Sequence, residues 1–483
     1  MKILASADDL DELSRDAGFI VKRPAAAYVA ETEEDVLTVL RSASQLGLSV
    51  TPRGSGTSIP SQAVGSGYVL LQNARRADLS DPGTISCDPA LVKADLNAAL
   101  DPLGVWMPVD PSSYKSCSVG GMVSNNASGA RTYKYGSTID YVQELRVVLP
   151  EEGLKVVKPV GIEEALHSGG STAKVSSLLI ENGKAIRDDS PKVTKNSSGY
   201  RLEKIIHDGM VDLPRLFVGS EGTLAVTTKI RLATRPKPVE RLLIVIETSL
   251  AELDKVAAAL REHGPSAVEL VDKSVFRQTG REERIKSLSR TEEDYLVFCE
   301  FDGLVRGETS RNLEEVARDK TLVQFDPVVL EDAAEVSRAW EVRNETLTIA
   351  GEIRRGSRVP LPGVEDLVVP PQLLGTMVRL LRDSFESRGL EYISYGHAGD
   401  ANLHMRPLLD PGSSSDVSLL REIMDECFEA VWKMGGSITG EHGDGLLRAP
   451  FVERQYRRTY WIMKEVKKLY DPKNLLNPGV KVT

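Results

Sequence analysis

The sequence predicts an α+β fold with two large domains and a short C-terminal segment. The chain has 483 residues, and a single hydrophobic core stops growing at roughly 250–300 residues, so more than one domain is expected. Strand-like and helix-like patterns alternate along the chain. The proline-containing stretch RPKP interrupts them near residue 236. We therefore expect domains at 1–236 and 237–434 and a segment at 435–483.

The first well-marked elements lie in residues 25–58, which read as a strand, a helix and a second strand that enters a glycine turn. Thr32 and Asp35 form a capping-box-like helix start, and Gly47 suits the C-terminal cap. Apolar residues recur between them at helical spacing: Val36, Leu37, Val39, Leu40, Ala43 and Leu46. A short second helix is predicted from about Leu91 to Leu100.

Three segments rich in small residues are predicted to be loops: RGSGTS at 53–58, VGGMVSNNASG at 119–129 and FVGSEGTLAV at 217–226. The first offers unhindered backbone N–H groups, hydroxyls and an arginine, which suit a pyrophosphate. A nicotinamide-type Rossmann turn would open a helix, whereas Pro60 follows here. One such loop is as often a plain turn, but three together favour a ligand.

The second domain is predicted to begin at Val239 with an α+β unit. LLIVIETS reads as a strand, AELDKVAAALREHG as a helix and YLVFCEFDG as another strand. Residues 415–434 are predicted to form one more amphipathic helix. Its apolar stripe is interpreted as core: Leu419, Leu420, Ile423, Met424, Cys427, Phe428 and Val431.

Two motifs, YGHAGDANLHMR at 395–406 and TGEHGDG at 439–445, contain three of the six histidines. The turn formers at 399–402 predict a hairpin centred between 400 and 401. In that register His397 and His404 are direct cross-strand partners, about 5 Å apart at Cβ, so they could share one divalent ion. Glu441 or His442 would be the third ligand. Two histidines and a carboxylate leave coordination positions open, which is typical of a catalytic site.

Composition excludes several classes of protein. A net charge of -10 argues against a nucleic-acid partner, which needs basic surface. No apolar run approaches the roughly 18 residues of a spanning helix. The acidic N-terminus is unlike a secretory signal, so a cytoplasmic protein is expected. The four cysteines form no CxxC pair, so we expect buried thiols rather than an iron–sulfur cluster.

Taken together, the motifs resemble those of the vanillyl-alcohol oxidase type flavoproteins, in the branch of D-lactate, glycolate and D-2-hydroxyglutarate dehydrogenases. RGSGTS resembles the family's first FAD pyrophosphate loop, PVDPSS and GGMVSNNASG its second flavin region, and GSEGTLAV its third. The two histidine motifs and LYDPKNLLNPGVKV resemble its C-terminal signatures. The resemblance implies an FAD-binding domain, a substrate domain with an antiparallel sheet, and a C-terminal segment near the flavin.

The resemblance also implies which residues form the cofactor sites. His397, His404 and Glu441 would bind the metal ion, for which zinc, manganese and iron all suit nitrogen and oxygen ligands. FAD is expected to be non-covalent because the first loop has no histidine or cysteine, although Cys117 in the second region leaves a covalent link open. The residues implied to contact FAD are Arg53, Gly54, Ser55, Gly56, Thr57, Ser58, Asp110, Pro111, Ser112, Gly120, Gly121, Asn125, Asn126, Ser128, Gly129, Glu221, Gly222 and Asn477.

For the substrate, the resemblance implies that His442 lies beside it, and His442 is the candidate catalytic base. Arg343, from WEVRNET, would bind the substrate carboxylate, and Arg406 is a further substrate-binding candidate. The chain departs from the family pattern at Leu347, where a threonine is expected. Relatives that oxidise 2-hydroxyglutarate have an asparagine at the position of Arg406. The lone His167, His207 and His263 are expected to be surface residues.

The predicted function is FAD- and metal-dependent oxidation of a D-2-hydroxy acid, D-lactate first and D-2-hydroxyglutarate or glycolate next. Electrons would pass to a quinone, an electron-transfer protein or a dye. A homodimer and peripheral contact with the inner face of a membrane stay open. The alternatives are a flavin-dependent oxidase of a sugar or another alcohol, a metal-dependent hydrolase and a non-catalytic binding protein. The metal cluster argues against the first, the three glycine segments against the second, and the open coordination site against the third.

Overall fold

A computed structural model describes residues 1–483 and contains 17 α-helices. In chain order they are α1 Ala7–Leu13, α2 Glu33–Leu46, α3 Lys93–Leu100, α4 Val119–Asn125, α5 Thr132–Tyr135, α6 Ile162–His167, α7 Gly170–Glu181, α8 Gly183–Asp189, α9 Pro214–Phe217, α10 Leu253–Glu262, α11 Ser274–Arg277, α12 Glu308–Arg318, α13 Ala333–Glu352, α14 Leu374–Glu386, α15 Ser414–Lys433, α16 Gly445–Gln455 and α17 Tyr460–Tyr470.

The 22 strands are β1 Lys2–Leu4, β2 Ala26–Ala30, β3 Val50–Pro52, β4 Tyr68–Gln72, β5 Ala77–Asp78, β6 Thr84–Cys87, β7 Val105–Trp106, β8 Val142–Leu149, β9 Gly153–Val157, β10 Val160–Gly161, β11 Ile206–His207, β12 Met210–Val211, β13 Val226–Ala233, β14 Arg235–Pro236, β15 Glu240–Thr248, β16 Ala267–Asp272, β17 Tyr295–Gly303, β18 Val328–Leu330, β19 Val359–Pro360, β20 Leu367–Val368, β21 Tyr392–His397 and β22 Asn402–Leu409.

Three sheets position the two parts of the candidate site. The first part of the chain has a four-stranded sheet in the order β1-β2-β4-β3, with β2, β4 and β3 parallel. It also has a five-stranded antiparallel sheet in the order β5-β6-β13-β8-β9. The later part has an eight-stranded antiparallel sheet, β18-β15-β17-β16-β21-β22-β19, with β20 also paired to β22. The predicted α+β class with an antiparallel sheet is confirmed, while the predicted domain boundaries stay predictions.

Helix α2 forms where the sequence predicted it. The hydroxyl of Thr32 accepts from the backbone N–H of Asp35, whose carboxylate accepts from the N–H of Thr32. At the other end Gly47 adopts the left-handed conformation, with φ of 66°. These caps satisfy backbone groups that the helix itself leaves unpaired. Helix α15 is confirmed as well, and its apolar stripe is buried.

Two local predictions were wrong. The segment VGGMVSN at 119–125, predicted as loop, forms α4 because the Ser118 hydroxyl accepts from the N–H of Gly121 at its start. Asn126 then ends the helix in the left-handed conformation. Small residues permitted a capped helix as well as a loop.

The register of the predicted hairpin also differs. His397 pairs with Asn402, and Tyr395 pairs with His404, so the two histidines are diagonal neighbours rather than direct partners. Asn402 belongs to the strand because it also pairs with Val368 on the other side of β22. The shift is two residues, so both histidines still share a sheet face.

The hydrophobic core explains how the two parts meet. One cluster of 42 buried residues fills the first part and includes Tyr456, Ile462 and Val466 from the C-terminal helices. Two further clusters, of 38 and 19 residues, cover opposite faces of the eight-stranded sheet. Between the two parts Arg131 donates to Glu300 on β17 at 2.7 Å and to Asp110 at 2.7 Å. The C-terminal helices therefore pack on the core of the first part.

None of the 17 helices combines the length and apolarity needed to span a membrane. All four cysteines are free and buried, as expected. Of the lone histidines His167 is exposed and His207 is half-buried. His263 is more enclosed than expected, because its imidazole contacts Asp319 at 3.0 Å.

Candidate active site

Two adjoining cavities, of about 190 and 110 Å³, lie where the three small-residue segments meet. They share walls formed by Gly54, Ser55, Gly121 and Asn125. The larger is also lined by Glu221 and Gly222, and the smaller extends to Glu441 and His442. We call them the glycine-lined cavities.

Most of the residues predicted to contact FAD line these cavities: Arg53, Gly54, Ser55, Gly56, Thr57, Ser58, Pro111, Ser112, Gly120, Gly121, Asn125, Ser128, Glu221 and Gly222. The sequence prediction missed Gln62, Ser118 and Ser124, which also line them. Two of these three lie beside or within the helix that was predicted as loop, so recognising α4 would have pointed to them.

Four predicted residues do not line the cavities. Asp110 is bound to Arg131, and the amide oxygen of Asn126 accepts from the N–H of Ile139 at 2.9 Å. The amide of Asn477 donates to the carbonyls of Gln62 and Glu221. At Gly129 a Cβ would lie 2.1 Å from the Asp110 carbonyl oxygen. These positions hold the surrounding segments together.

Two charged side chains in the cavity walls, Arg53 and Glu221, are bonded within the protein, whereas the exposed Arg75 of the larger cavity makes no hydrogen bond or ion pair. The guanidinium of Arg53 donates to the carbonyls of Ala63 and Arg15 at 2.9 and 2.8 Å. The carboxylate of Glu221 accepts from the N–H of Asp444 at 2.8 Å and contacts Lys481 Nζ at 2.8 Å. The cavities therefore offer backbone groups, hydroxyl groups and the guanidinium of Arg75 to a ligand.

Beside the smaller cavity lie His397, His404, Glu441 and His442, which we call the histidine cluster. One oxygen of Glu441, Oε1, lies 3.2 Å from His397 Nε2, 3.3 Å from His404 Nε2 and 3.6 Å from His442 Nε2. The predicted residues are thus brought together, with three ring nitrogens facing one carboxylate oxygen.

In each of the three imidazoles, the nitrogen that faces away from Glu441, Nδ1, lies close to another carboxylate. Nδ1 of His397 lies 2.7 Å from Glu269 Oε1. Nδ1 of His404 and of His442 lie 3.3 and 2.8 Å from Glu365 Oε2. Metal-binding histidines commonly have such a partner, which fixes the tautomer so that the other nitrogen can bind the ion. Neither glutamate belongs to a motif that the sequence analysis had recognised.

Asp366 is a further carboxylate close to the cluster. Ligand atoms of Asp366, His404, Glu441 and His442 lie within 4.8 Å of one another. However, Asp366 already accepts hydrogen bonds from the N–H groups of Glu441 and His442, at 3.1 and 2.8 Å. It shapes the backbone that carries these two residues, so His397 remains the better candidate ligand.

The two predicted substrate-binding arginines differ in their surroundings. Arg343 donates from Nε to Glu269 Oε2 at 2.8 Å and is buried with it. Arg406 contacts Glu365 only at 3.7 Å, with 14% of its side chain exposed. Its buried Nε makes no hydrogen bond. Arg406 therefore has free donors, whereas Arg343 holds Glu269 and, through it, His397.

Buried charges shift the pKa values in the cluster. Burial alone would lower the pKa of His397, but the carboxylates of Glu269 and Glu441 together outweigh it and raise the pKa to about 9. Conversely, burial opposes ionisation of Glu269, yet His397 and Arg343 lower its pKa to about 2. For His442, burial is likewise outweighed by Glu365 and Asp366, which raise the pKa. His397 and Glu269 therefore form an ionised pair at neutral pH.

Two family models match separate parts of the chain. Residues 236–480 match the C-terminal domain of FAD linked oxidases, and residues 24–157 match a FAD binding domain. The chain is 29% identical over 504 residues to D-2-hydroxyglutarate dehydrogenase of Pantoea ananatis, covering 97% of this chain and 49% of that protein. It thus spans about half the length of this relative and of the one named alike in Escherichia coli.

Other relatives match along most of their own length. The chain is 29% identical over 470 residues to D-lactate dehydrogenase of Archaeoglobus fulgidus, covering 95% of this chain and 90% of that protein. Among solved structures, p-cresol methylhydroxylase superposes with a TM-score of 0.71 at 13% identity, covering 99% of this chain and 93% of the other. Alkyldihydroxyacetonephosphate synthase gives a TM-score of 0.66 at 14% identity, with 99% and 82% covered. These two structures support the fold alone.

Proposed function

The chain belongs to the FAD-linked oxidases, whose C-terminal domain matches half of it, and on that basis we propose that it oxidises a D-2-hydroxy acid to the 2-oxo acid. FAD would occupy the glycine-lined cavities, and a divalent metal ion would bind at the histidine cluster. One observation carries the proposal: the smaller cavity is lined both by Gly54 and Ser58 of the first loop and by Glu441 and His442. A bound flavin and a substrate at the cluster would therefore be neighbours.

The cavities fit FAD because their walls expose backbone and hydroxyl groups, and their glycines let neighbouring segments of the wall approach closely. A Cβ on Gly54 would lie 2.5 Å from the Ser118 hydroxyl, and one on Gly222 would lie 3.2 Å from Pro52. Backbone N–H groups and hydroxyls suit a pyrophosphate. When bound, FAD would supply the acceptor for the hydride that leaves the substrate carbon. Since Cys117 also lines the cavity but burial raises the pKa of its thiol, we propose a non-covalent FAD.

The cluster fits a divalent ion because three Nε2 atoms and one carboxylate oxygen converge, and carboxylates back each Nδ1. We propose His397, His404 and Glu441 as the ligands. Zinc, manganese and iron all accept such a set. A bound ion would lower the pKa of the substrate hydroxyl.

His442 is proposed as the base that takes the hydroxyl proton. It lines the smaller cavity, and 18% of its side chain is exposed. Glu365 lies 2.8 Å from its Nδ1, so the imidazolium formed after proton transfer is stabilised. The buried neighbours thus favour proton acceptance at Nε2.

The substrate carboxylate needs a cation, and both arginines remain candidates. We propose that Arg406 makes the direct contact, because its donors are free and carboxylates suit a guanidinium. Arg343 would then act mainly through Glu269, or would contact substrate after exchanging partners. D-lactate, D-2-hydroxyglutarate and glycolate are all retained as substrates, and relatives named for each lie among the matches.

Electron transfer is proposed to continue from FAD to a quinone, an electron-transfer protein or a dye. The proposal also includes a cytoplasmic location, a homodimeric state and contact with the inner face of the membrane. Comparing turnover with soluble dyes and with quinone-bearing vesicles tests the acceptor. Faster turnover on vesicles would favour membrane contact, and equal turnover would count against it.

The deciding experiment is an anaerobic visible spectrum of the purified, FAD-loaded protein before and after each candidate acid. We expect flavin bleaching with one D-2-hydroxy acid, or with glycolate, and none with the L enantiomers. A protein that binds no FAD after incubation would contradict the proposal. Metal-depleted protein should keep its flavin but lose bleaching, and should recover it when zinc or manganese is restored. Full turnover by the metal-depleted protein would show that the reaction does not require the ion.

A further inference from the structure

We propose that Lys195 is a positioning residue that fixes Glu441 as a metal ligand and joins the histidine cluster to the glycine-lined cavities. The inference rests on the proposed metal site. Lys195 lies between α8 and the strand β11, in a stretch that contains no recognised functional motif. Only 1% of its side chain is exposed.

The ammonium group of Lys195 meets acceptors from three separate segments. Nζ donates to the carbonyl of Gly129 at 3.0 Å and to Glu441 Oε2 at 3.1 Å. Its third neighbour is the amide oxygen of Asn402, at 3.5 Å. An ammonium has three N–H donors, so these acceptors use all of them. One buried group thereby links the residue that follows cavity-lining Ser128, the Glu441 loop and the strand that carries His404.

The contact decides how the carboxylate of Glu441 is oriented. Oε2 accepts from Lys195 and also from the Ser128 hydroxyl at 2.9 Å. Oε1 is left to face the three imidazoles. Because both donors lie on one oxygen, rotation of the carboxylate is restricted, and the lone pairs of Oε1 stay directed at the place of the ion.

A second carboxylate keeps Lys195 in position. Asp400 Oδ2 lies 3.8 Å from Nζ, and neither oxygen of Asp400 makes a hydrogen bond. Asp400 belongs to the turn between His397 and His404. Lys195 is therefore flanked by negative charge from both segments that carry the candidate ligands. Replacing it with an apolar residue would leave two buried carboxylates without their shared cation.

The test measures zinc binding to FAD-loaded, metal-depleted protein by competition with a chromophoric chelator. We expect Lys195→Met to weaken zinc binding by about 10–100-fold, as supporting residues around metal ligands do. FAD affinity should stay within about threefold of the wild type, a change under roughly 1 kcal/mol. Lys192→Met is the matched control, because Lys192 is exposed and bonds only to the carbonyl of Arg187. If Lys195→Met does not fold, Lys195→Gln replaces it, with the same expected direction.

A double-mutant cycle separates positioning from a general structural role. If Lys195 acts through Glu441, Lys195→Met should change zinc affinity little in the Glu441→Gln background. Equal losses in both backgrounds, or wild-type zinc affinity in Lys195→Met, would overturn the inference. So would a variant that loses thermal stability and FAD binding while its zinc affinity is intact. A wild-type protein that binds no zinc, manganese or iron would refute the proposed metal site itself, and this inference with it.

Discussion

The glycine-lined cavities and the histidine cluster are neighbours built by opposite means. The cavities use small residues and backbone groups, and two of the charges in their walls, at Arg53 and Glu221, are bonded within the protein. The cluster uses side chains that carry buried charge, each with a named partner. A cavity of this kind should respond mainly to changes of size. The cluster should respond mainly to changes of charge.

The largest expected effect is a fall in kcat when the proposed base is removed. His442→Gln should lower kcat by about 10²–10⁴-fold while the flavin spectrum and FAD affinity stay unchanged. Steady-state kinetics with the acid that bleaches the flavin measures this. His167→Gln, at an exposed position, is the control. Near-normal kcat in His442→Gln would assign proton transfer to another group.

The second expected effect is a pH dependence of ligand affinity. It should appear for zinc at the histidine cluster and not for FAD in the glycine-lined cavities. The folded pKa of His397, about 9, is above its ordinary 6.5. The stabilising charge of His397 is therefore fully present below 6.5 and is lost as the pH rises through about 9. A metal ion binds the neutral ring, so zinc affinity should rise by up to about tenfold per pH unit across that window. Zinc and FAD titrations at several pH values test it; a flat zinc affinity would contradict the ionised-pair description.

A third prediction concerns the carboxylate behind the cluster. Glu269→Gln should weaken zinc binding by about 10–100-fold and lower the free energy of unfolding by roughly 3–5 kcal/mol, because buried Arg343 loses its counter-charge. Chelator competition and chemical denaturation measure the two effects. Glu352→Gln breaks an exposed pair with Arg281 and should cost about 0–1 kcal/mol. If Glu269→Gln and Glu352→Gln lowered the free energy of unfolding equally, the buried ion pair would be no more important for stability than the exposed one.

The smallest expected effect is on FAD affinity, when the size of a side chain in the cavity wall is increased. Gly222 and Gly47 have φ of 67° and 66°, so alanine at either position should cost roughly 1–2 kcal/mol of stability. Only Gly222 lines a cavity, whereas a Cβ at Gly47 meets nothing within 4 Å. Gly222→Ala should therefore also raise the Kd for FAD by about three- to tenfold. Equal FAD affinity in both variants would show that the wall adjusts freely.

The sequence predicted the residues of the two regions better than the local structure that carries them. Most of the expected FAD contacts line the cavities, because runs of glycine and serine are local signals of backbone close to a ligand. The candidate ligands were found by the same means, in two short motifs. The hairpin register was wrong by two residues because β20, distant in sequence, pairs with Asn402. Helix α4 was missed because its cap at Ser118, rather than residue propensity, starts it.

The sequence by itself determined the α+β class and the three small-residue segments, and it predicted His397, His404, Glu441 and His442 as candidate site residues. Only the tertiary structure decided what supports them. Glu269, Glu365 and Lys195 are single residues within ordinary strands and loops, and Lys195 lies 246 positions from the glutamate it holds. A buried charge is stable only where a partner of opposite charge meets it. Such partners are chosen by the packing of distant segments, which no local pattern records.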